Sequence, residues 1–465
     1  MSLLIYPDVW EFNAAAGPDR LAQVQGERAI TWGQFNRRAN GLAQHLLDTG
    51  LTKQSKVAAY LYNGPEYLET YFAAFKAACA PVNTNYRYRA EELLYLWDNA
   101  DAEAVVFHAS FAPTIEEIRA RLPLVKTWIA APQAGYDIPD WAVNYEELAA
   151  KGADANVNPP WGRSLEDLNI MYTGGTTGMP KGVMWQQGDL FRAMGGGGNM
   201  ILGLGALQTA EEAGERIKQQ IAEGALGATA LACAPLMHAT AQFSMLSLLA
   251  GGGCVVTLPS QRFDPVELFN EIERLGVTSL SIVGMAFAAP MLETLNRNPG
   301  RWTLPTLRRI GSSGTVWNQE NKAGLLKHLP HVGMFDSLGS SEAIGIANSA
   351  TTAQSAAQTA KFTAGEKVFP EEVEESLKRH PAVRDAAVVG VPDPRFGERI
   401  CAVVELNDGA SAPSLAELSA HVKNQLADYK APRELVLAPV HRAPNGKLDY
   451  KGVRARALEA LGVKA

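Results

Sequence analysis

A glycine- and threonine-rich segment at residues 171–182 is the part of the sequence best suited to bind a polyphosphate. It has the sequence MYTGGTTGMPKG and follows an apolar, strand-like run at residues 168–171. Glycine lets the backbone approach an anion and turn its N–H groups towards it, while hydroxyls and a lysine add donors and positive charge. The segment is not a Walker A loop, because Lys181 is followed by glycine, and it lacks the G-x-G-x-x-G spacing of a dinucleotide fingerprint.

The charge of the chain makes such a local site informative. The 465 residues carry a formal net charge of −7, with 47% hydrophobic and 20% charged residues. This composition is typical of a globular protein and offers no basic face for nucleic acid. An acidic protein that binds a polyanion must therefore gather its cations locally. A flexible glycine-rich turn is the alternative interpretation, but a turn needs neither three threonine hydroxyls nor Lys181.

The order of residues 172–182 resembles the phosphate-binding signature of the adenylate-forming enzymes. This superfamily includes acyl-CoA synthetases, firefly-type luciferases and the adenylation domains of peptide synthetases. The resemblance implies that this loop binds the β- and γ-phosphates of ATP. The residues it assigns to them are Thr173, Gly174, Gly175, Thr176, Thr177, Gly178 and Lys181.

Two further segments follow in the family's order. Residues 234–238 (APLMH) resemble the stretch that lines the acyl pocket, which implies that Met237 lines the pocket and that His238 stands beside the carboxylate. Residues 311–314 (GSSG) resemble the small-residue turn against the adenine and the substrate, which assigns Gly311 to the acyl pocket and Ser313 and Gly314 to ATP. Without the resemblance, a histidine in an apolar run is more often a packed core residue, and the tetrapeptide indicates only a turn.

Residues 336–342 (DSLGSSE) resemble the family's fifth core motif. The resemblance implies that Ser341 meets the α-phosphate and that Glu342 helps to hold Mg²⁺, a hard cation that prefers oxygen ligands. The family has an aromatic residue where this chain has Leu338. The other nucleotide-binding residues implied here are Asp336, Ser337 and Gly339.

Near the C-terminus, two segments resemble the motifs that serve the two half-reactions. Residues 365–374 (GEKVFPEEVE) match the end of the family's eighth motif, which implies that Gly365, Glu366 and Lys367 face coenzyme A. Residues 444–448 (PNGKL) match the last motif, whose lysine contacts the carboxylate and the α-phosphate. The resemblance therefore implies a catalytic set of Thr177, Glu342 and Lys447.

These segments need a scaffold, and the pattern around them alternates strand-like and helix-like stretches. Residues 31–34 (TWGQ) predict a capping box at the start of a helix, and residues 56–62 predict a buried strand. We expect an α/β fold with a large N-terminal domain of parallel α/β subdomains and a small C-terminal α+β domain. The expected boundaries are an adenylation domain at 1–350, a truncated linker at 351–365 and a C-terminal domain at 366–465.

The secondary structure expected at the boundaries and on the surface is more specific. Residues 349–363 (SATTAQSAAQTAKFT) have the composition of a linker, with a polar strand as the alternative. Residues 115–122 predict a helix, and residues 209–223 predict a surface helix.

The resemblance is interrupted between Glu342 and Pro370. Only residues 343–369 lie there, whereas the family has a stretch of subdomain size that carries a Tyr-x-x-Gly-Asp motif for the ribose and a Gly-Arg hinge. Part of the usual third subdomain and the hinge is therefore missing. Three explanations stay open: a true deletion, a mis-assembled gene, or a segment lost when the residues were renumbered. The last predicts a chain break near residues 364–367.

Other classes of site and location are disfavoured. The four cysteines form no CxxC pair, which favours reduced thiols in the cytoplasm, and the eight histidines form no zinc-binding cluster. The N-terminus lacks the pattern of a signal peptide, and no apolar run reaches the length of a membrane-spanning helix. The expected partners are a small carboxylic acid, ATP and CoA; a homo-oligomer is compatible with the sequence, which leaves the oligomeric state open.

Together these segments predict an acyl-CoA synthetase that uses ATP, Mg²⁺ and coenzyme A. The phosphate loop and the stretch at residues 193–205 look most like the branch that activates fatty acids and steroid side-chain acids. Two alternatives stay open. One is a truncated acyl- and nucleotide-binding homologue without catalysis, and the other is an adenylating enzyme with a different acceptor, such as a carrier protein or oxygen.

Overall fold

The computed structural model divides the chain into two units, Met1–Phe362 and Thr363–Ala465, here called the first and the second unit. Each is described by itself. The residues described are 2–173, 180–198, 203–225, 227–315, 317–340, 343–352, 363–364, 370–393, 397–426, 430–440 and 450–462.

Helices and strands alternate along the first unit. Its helices are α1 (Tyr6–Ala16), α2 (Trp32–Asp48), α3 (Pro65–Lys76), α4 (Ala90–Asn99), α5 (Ala112–Glu116), α6 (Tyr145–Ala150), α7 (Gln187–Ala193), α8 (Glu211–Ala222), α9 (Ala239–Ala250), α10 (Pro265–Leu275), α11 (Met285–Arg297) and α12 (Gln319–His328). Short 3₁₀ turns flank α5, at Ala109–Phe111 and Arg119–Arg121. Its strands are β1 (Leu21–Gln25), β2 (Arg28–Thr31), β3 (Lys56–Tyr60), β4 (Ala80–Asn83), β5 (Ala102–His108), β6 (Thr127–Ala131), β7 (Val143–Asn144), β8 (Leu168–Thr173), β9 (Lys181–Gln186), β10 (Thr229–Ala232), β11 (Cys254–Thr257), β12 (Ser279–Ile282), β13 (Arg309–Ser313), β14 (Gly333–Ser340) and β15 (Ala343–Thr351).

The strands of the first unit form two sheets, as the alternating pattern predicts. Sheet A has the order β15-β14-β13-β12-β10-β11-β1-β2, and sheet B has the order β7-β6-β5-β3-β4-β8-β9. The inner pairs are parallel, while β1–β2, β14–β15 and β8–β9 are antiparallel. Inner strands such as β3 are apolar without alternation because helices cover both faces of a parallel sheet. The predicted α/β class is confirmed.

One core joins the two sheets. Its buried residues include Val57 of β3 in sheet B and Val255 of β11 in sheet A, with aromatic side chains of α1, α2 and α3 between them. The Phe72 ring lies 5.1 Å from that of Trp10 and 4.9 Å from that of Phe35, measured between ring centres. This shared core holds the carboxyl ends of the strands from both sheets near one another, which is where ligands bind in α/β proteins.

Helix α2 begins at the predicted capping box. The Thr31 hydroxyl accepts a hydrogen bond from the Gln34 amide, and the Gln34 side chain accepts one from the Thr31 amide. The predicted apolar face is buried, and Phe35 and Leu42 are among its residues. A local sequence signal is sufficient here because both partners of the cap lie within one turn.

Three predictions about the helices and the linker need correction. The helix expected at residues 115–122 is the shorter α5 followed by a 3₁₀ turn. The linker expected at residues 349–363 is wrong at its start, because strand β15 continues through Thr351 and pairs with β14. Helix α8 is not only a solvated surface, since Ala213 and Ile217 are buried on its inner side.

The second unit is a small α+β fold. Its elements are β16 (Thr363–Ala364), α13 (Pro370–Lys378), β17 (Val383–Asp393), β18 (Gly397–Leu406), α14 (Leu415–Lys423), β19 (Glu434–Leu437) and α15 (Tyr450–Leu461). Strand β18 pairs with β17 in the antiparallel and with β19 in the parallel sense. Residues of α13 and α14 cover one face of this sheet, and residues of α15 cover the other. In neither unit does the described chain contain a helix long and apolar enough to cross a membrane.

A buried group of charges connects helix α1 to helix α3 and to Arg163. Lys76 is fully buried, and its ammonium lies 2.7 Å from a carboxylate oxygen of Glu11. The Arg163 guanidinium binds both oxygens of Glu11 at 3.0 Å and lies 3.2 Å from Asp8. Burial lowers the pKa of Lys76 to about 8, although Glu11 acts in the opposite direction. The charged lysine is therefore held at a cost that its partners only partly offset.

We expect the Lys76→Met variant to differ from the parent in the pH dependence of its stability. The folded chain releases the Lys76 proton near pH 8, whereas the unfolded chain keeps it until about pH 10.4. Between these values the unfolded state binds more protons, so stability rises with pH. The free energy of unfolding of the parent, relative to the variant, should therefore rise by roughly 2–4 kcal/mol from near pH 7 to near pH 10. Urea unfolding of both proteins at the two pH values measures this, and a constant difference would contradict it.

Candidate functional site

The predicted phosphate loop connects two strands of a hairpin at the edge of sheet B. Strands β8 and β9 are antiparallel, and Thr173 is paired with Lys181 across the hairpin. The two ends of the loop are therefore adjacent, with Thr173 half-buried and Lys181 exposed. A hydroxyl and an ammonium at the same edge suit a phosphate group.

Tyr172 anchors the hairpin of β8 and β9 through its side chain. Its hydroxyl donates a hydrogen bond of 2.7 Å to the side-chain oxygen of Asn99 on α4, and burial raises the pKa of Tyr172 to about 12. The ring lies against Gly182, where an added Cβ would come within 2.8 Å of a ring carbon. Gly182 is therefore required by the packing of Tyr172, which directly precedes Thr173, the first of the predicted phosphate-binding residues.

The predicted acyl wall runs from the end of β10 to the start of α9. The His238 amide donates a hydrogen bond of 3.0 Å to the Pro235 carbonyl, and α9 begins at the next residue. His238 is exposed, but desolvation by the surrounding protein, and then the charge of Arg87, lower its pKa. The ring is therefore neutral near pH 7 and can hydrogen-bond to a substrate oxygen without adding a fixed charge.

The predicted small-residue segment lies beside the acyl wall. The Ser313 hydroxyl is 2.8 Å from the hydroxyl of Thr240, which is two residues beyond His238. Gly314 has a φ of +90°, which favours glycine, and an added Cβ would lie 3.7 Å from the Thr240 hydroxyl. The structure thus brings Ser313 and Gly314 against Thr240, two residues beyond His238.

The description of residues 311–314 as a turn is wrong for the first three of them. Gly311 and Ser313 belong to strand β13, which is paired on one side with β12 and on the other with β14. Only Gly314 leaves the strand. Pairing with two neighbouring strands determined this conformation, and neither neighbour is close in sequence.

Strand β14 carries the predicted fifth motif next to β13. Ser337 is paired with Ser313, and Leu338 and Gly339 continue the strand. The carboxylate of Asp336 forms a buried ion pair with the ammonium of Lys322 from α12. Asp336 therefore has a protein partner in this structure, and its contact with the nucleotide remains a prediction.

The other predicted site residues lie outside the described part of the chain. They are Gly174, Gly175, Thr176, Thr177, Gly178, Ser341, Glu342, Gly365, Glu366, Lys367 and Lys447. The chain break expected near residues 364–367 lies partly outside it as well. Within the described residues, no three His, Cys, Asp or Glu side chains are grouped so that they could hold a metal ion. The assignment of Mg²⁺ to Glu342 thus stays a prediction.

A cavity of about 250 Å³ borders the acyl wall at Pro235. Aromatic rings and two guanidinium groups are the main features of its lining: Tyr62, Tyr86, Arg87, Arg262, Phe263 and Phe287. Such a lining suits a ligand with apolar and anionic parts. A larger cavity of about 390 Å³, beside α2 and α6, contains none of the predicted site residues.

Sequence reasoning missed three polar side chains that connect these segments. Thr240 contacts Ser313, while Asn63 and Asn83 contact the backbone of the acyl wall. Asn83 ends strand β4, and Asn63 lies just after β3. A polar residue at the carboxyl end of a parallel strand is a recognisable signal for a site.

Comparison with known proteins gives matches along nearly the whole chain. A model described as "AMP-binding enzyme" matches residues 10–374, and one described as "AMP-binding enzyme C-terminal domain" matches residues 372–447. The medium-chain acyl-CoA ligase Mig of Mycobacterium avium is 33% identical, with 97% of this chain and 98% of that protein aligned. The 3-oxocholest-4-en-26-oate--CoA ligase of Rhodococcus rhodochrous is 32% identical, with 93% and 92% aligned.

Solved structures agree on the fold. A crystal structure of the anthranilate CoA ligase AuaEII in complex with anthranoyl-AMP superposes with a TM-score of 0.61 at 17% identity, covering 99% of this chain and 98% of that one. A Mycobacterium tuberculosis fatty acyl CoA synthetase has a TM-score of 0.57 at 18% identity, covering 99% of each chain. At these identities the likeness concerns the fold.

The chain is shorter than its relatives within the aligned region. The alignment with the Mig ligase runs over 551 positions, whereas this chain has 465 residues. Because nearly the whole of both proteins is aligned, the relative has internal residues without a counterpart here. This agrees with the segment missing from the family pattern. The phosphate hairpin, the acyl wall and the matches along residues 10–447 lead to one conclusion: the chain belongs to the AMP-binding enzyme family.

Proposed function

We propose that the chain is an AMP-forming acyl-CoA synthetase, an acid–thiol ligase. In the first half-reaction, an oxygen of the carboxylate attacks the α-phosphorus of ATP, and pyrophosphate leaves. In the second, the thiol of CoA attacks the acyl carbon of the acyl-adenylate, AMP leaves, and the thiol proton is released. The first step is needed because a carboxylate by itself has no adequate leaving group.

The observation that carries this proposal is the juxtaposition of the phosphate hairpin and the acyl wall. The side-chain nitrogen of Asn83 lies 2.9 Å from the Tyr172 carbonyl oxygen and 2.7 Å from the Met237 carbonyl oxygen. Tyr172 immediately precedes the phosphate loop, and Met237 immediately precedes His238. A polyphosphate and a carboxylate bound at these two places would meet, as adenylation requires.

The roles of individual residues follow from the charge that develops. Negative charge grows on the α-phosphate oxygens, so fixed cations and N–H donors provide most of the stabilisation. We assign residues 173–178 and Lys181 to the β- and γ-phosphates, His238 to the carboxylate, and Lys447 to the reacting centre. Mg²⁺, which we assign to Glu342, would neutralise phosphate charge when it is bound. We assign Gly365–Lys367 to CoA.

The proposed substrate is a bulky apolar acid, either a fatty acid or a steroid side-chain acid. The relatives named above are called medium-chain acyl-CoA and 3-oxocholest-4-en-26-oate--CoA ligases. We propose that residues 1–350 adenylate the acid and that residues 366–465 form the C-terminal domain. A cytoplasmic location is supported by the four cysteines, which are unpaired and buried with raised thiol pKa values.

Release of AMP from ATP tests the proposal directly. The chain is incubated with ATP and Mg²⁺, with and without CoA, and with octanoate, palmitate or a steroid side-chain acid. We expect AMP only when an acid and CoA are both present, with pyrophosphate released in the same amount. Failure of every acid to increase AMP release, in a chain that still binds ATP, would contradict the proposal.

A truncated homologue that binds ATP or an acyl group without turnover is the second candidate. It is favoured by the residues missing relative to the Mig ligase and by the short stretch between Glu342 and Pro370. Its expected result is saturable ATP binding, measured by calorimetry, with no AMP formed. Acid-dependent AMP formation would exclude it.

A further inference from the structure

Asn83 is a buried side chain that touches the phosphate hairpin and the acyl wall at once. Its side-chain oxygen accepts a hydrogen bond of 2.5 Å from the Tyr172 amide, and its nitrogen donates one of 2.9 Å to the Tyr172 carbonyl. The same nitrogen donates a bond of 2.7 Å to the Met237 carbonyl. The side chain is 4% exposed, so water cannot replace these bonds.

These bonds cross from one sheet to the other. Asn83 and Tyr172 belong to adjacent strands β4 and β8 of sheet B, whereas Met237 follows β10 of sheet A. Strand β4 pairs with β8 at Val82 and Ile170, just before Asn83. The side-chain amide of Asn83 therefore connects β4 to β8 where their backbone pairing ends, and it also bonds to the segment after β10 of the opposite sheet.

Asn63, just after the neighbouring strand β3, bonds to the acyl wall and to Ala232 at the end of β10. Its oxygen accepts a hydrogen bond of 2.7 Å from the Leu236 amide, and its nitrogen donates one of 3.1 Å to the Ala234 carbonyl. Asn63 forms no hydrogen bond with the described residues of the phosphate hairpin. The bond to Tyr172 is therefore made by Asn83 and not by Asn63, which is half-buried and bonds only to the other side of the site.

We propose that Asn83 is a positioning residue for the adenylation step, one that sets the separation between the phosphate loop and the carboxylate-binding wall. The inference rests on the proposed function. An amide is suited to this role because one nitrogen can donate two hydrogen bonds while the oxygen accepts a third. Aspartate has the same shape but cannot donate when ionised, and it would face the carbonyls of Tyr172 and Met237.

The two half-reactions depend on this separation to different degrees. In adenylation, the acid and ATP are separate molecules, and their reacting atoms must be aligned by the two surfaces that hold them. A misplacement of about 1 Å can lower such a rate by about 100-fold. In thioester formation, the acyl group and the AMP are already one molecule, so the spacing of the surfaces matters less.

The test compares the two half-reactions in the parent and in Asn83→Asp, Asn83→Ser and Asn63→Asp. Octanoate-dependent release of pyrophosphate reports adenylation, and conversion of synthetic octanoyl-AMP with CoA reports thioester formation. For both Asn83 variants we expect adenylation to fall by about 10–100-fold relative to thioester formation. For Asn63→Asp we expect both rates to change by a similar factor, because its side chain bonds to the acyl wall and the end of β10 and not to Tyr172.

The ratio of the two rates, measured on one preparation, does not depend on how much of the protein is folded. Asn83→Ser keeps the test available if Asn83→Asp does not fold. Equal changes in both half-reactions of the Asn83 variants, or no change in either, would overturn the inference. A parent chain that forms thioester from octanoyl-AMP but releases no pyrophosphate from ATP with any acid would overturn the proposed function, and this inference with it.

Discussion

Replacing Lys447 by alanine is expected to lower acid-dependent adenylate formation by about 10²–10³-fold. The lysine stands in the segment PNGKL, and the match to the C-terminal family model extends to this residue. Its ammonium would face the α-phosphate and the carboxylate oxygen as they join, where negative charge is concentrated in the transition state. Alanine removes that charge without altering the rest of the segment.

Pyrophosphate release from ATP with the best acid measures this effect. Conversion of synthetic acyl-AMP and CoA to thioester should stay near the rate of the parent, because Lys447 is assigned to the first step only. Lys423→Ala is the matched control, since Lys423 is an exposed lysine on α14 of the same unit. Adenylation by Lys447→Ala at the rate of the control would refute the assignment of this lysine.

Breaking the buried ion pair between Asp336 and Lys322 is expected to destabilise the first unit by about 3–5 kcal/mol. Both side chains are buried, and Lys322 also lies 5.3 Å from the centre of the Trp317 ring. Removal of the carboxylate in Asp336→Leu leaves a buried ammonium without its counter-charge. Removal of the ammonium in Lys322→Met leaves the carboxylate in the same position.

The double variant Asp336→Leu/Lys322→Met should be much more stable than the sum of the single effects predicts. Replacing both members of a buried pair by apolar groups is often neutral or stabilising. Denaturant unfolding of the four proteins gives the coupling energy, and additive single effects would show that the pair is not coupled. ATP affinity of the double variant then tests the predicted nucleotide contact of Asp336: affinity should fall if the carboxylate binds ATP and persist if it only anchors β14.

Elements determined by neighbouring residues were predictable from the sequence. The capping box at Thr31 and Gln34 closes within one helical turn, and Pro65 begins α3 as its fixed φ favours. Helix α13 likewise begins at a proline, Pro370, and ends at Lys378. The prediction of a phosphate loop likewise drew only on local features, because the glycines, hydroxyl donors and cation all lie within residues 171–182.

Tertiary structure decided what depends on partners distant in the chain. The linker composition of residues 349–363 did not prevent residues up to Thr351 from forming β15, because β14 supplies the hydrogen bonds of a second strand. Gly311 and Ser313 are strand residues because β12 and β14 lie on either side of them. Polar side chains with a distant partner, such as Asp336 with Lys322, have no local signature.

The sequence by itself determined the family, the α/β architecture and the residue types that can bind a polyphosphate, since these depend on short motifs and on the alternation of strand and helix. Only the tertiary structure decided which of these groups meet. Asn83 is 89 residues from Tyr172 and 154 from Met237 in sequence, yet it is hydrogen-bonded to both. The physical reason is that two sheets packed on one core bring the ends of their strands together. The hydrophobic pattern of a strand carries no information about which residues of the other sheet it will meet.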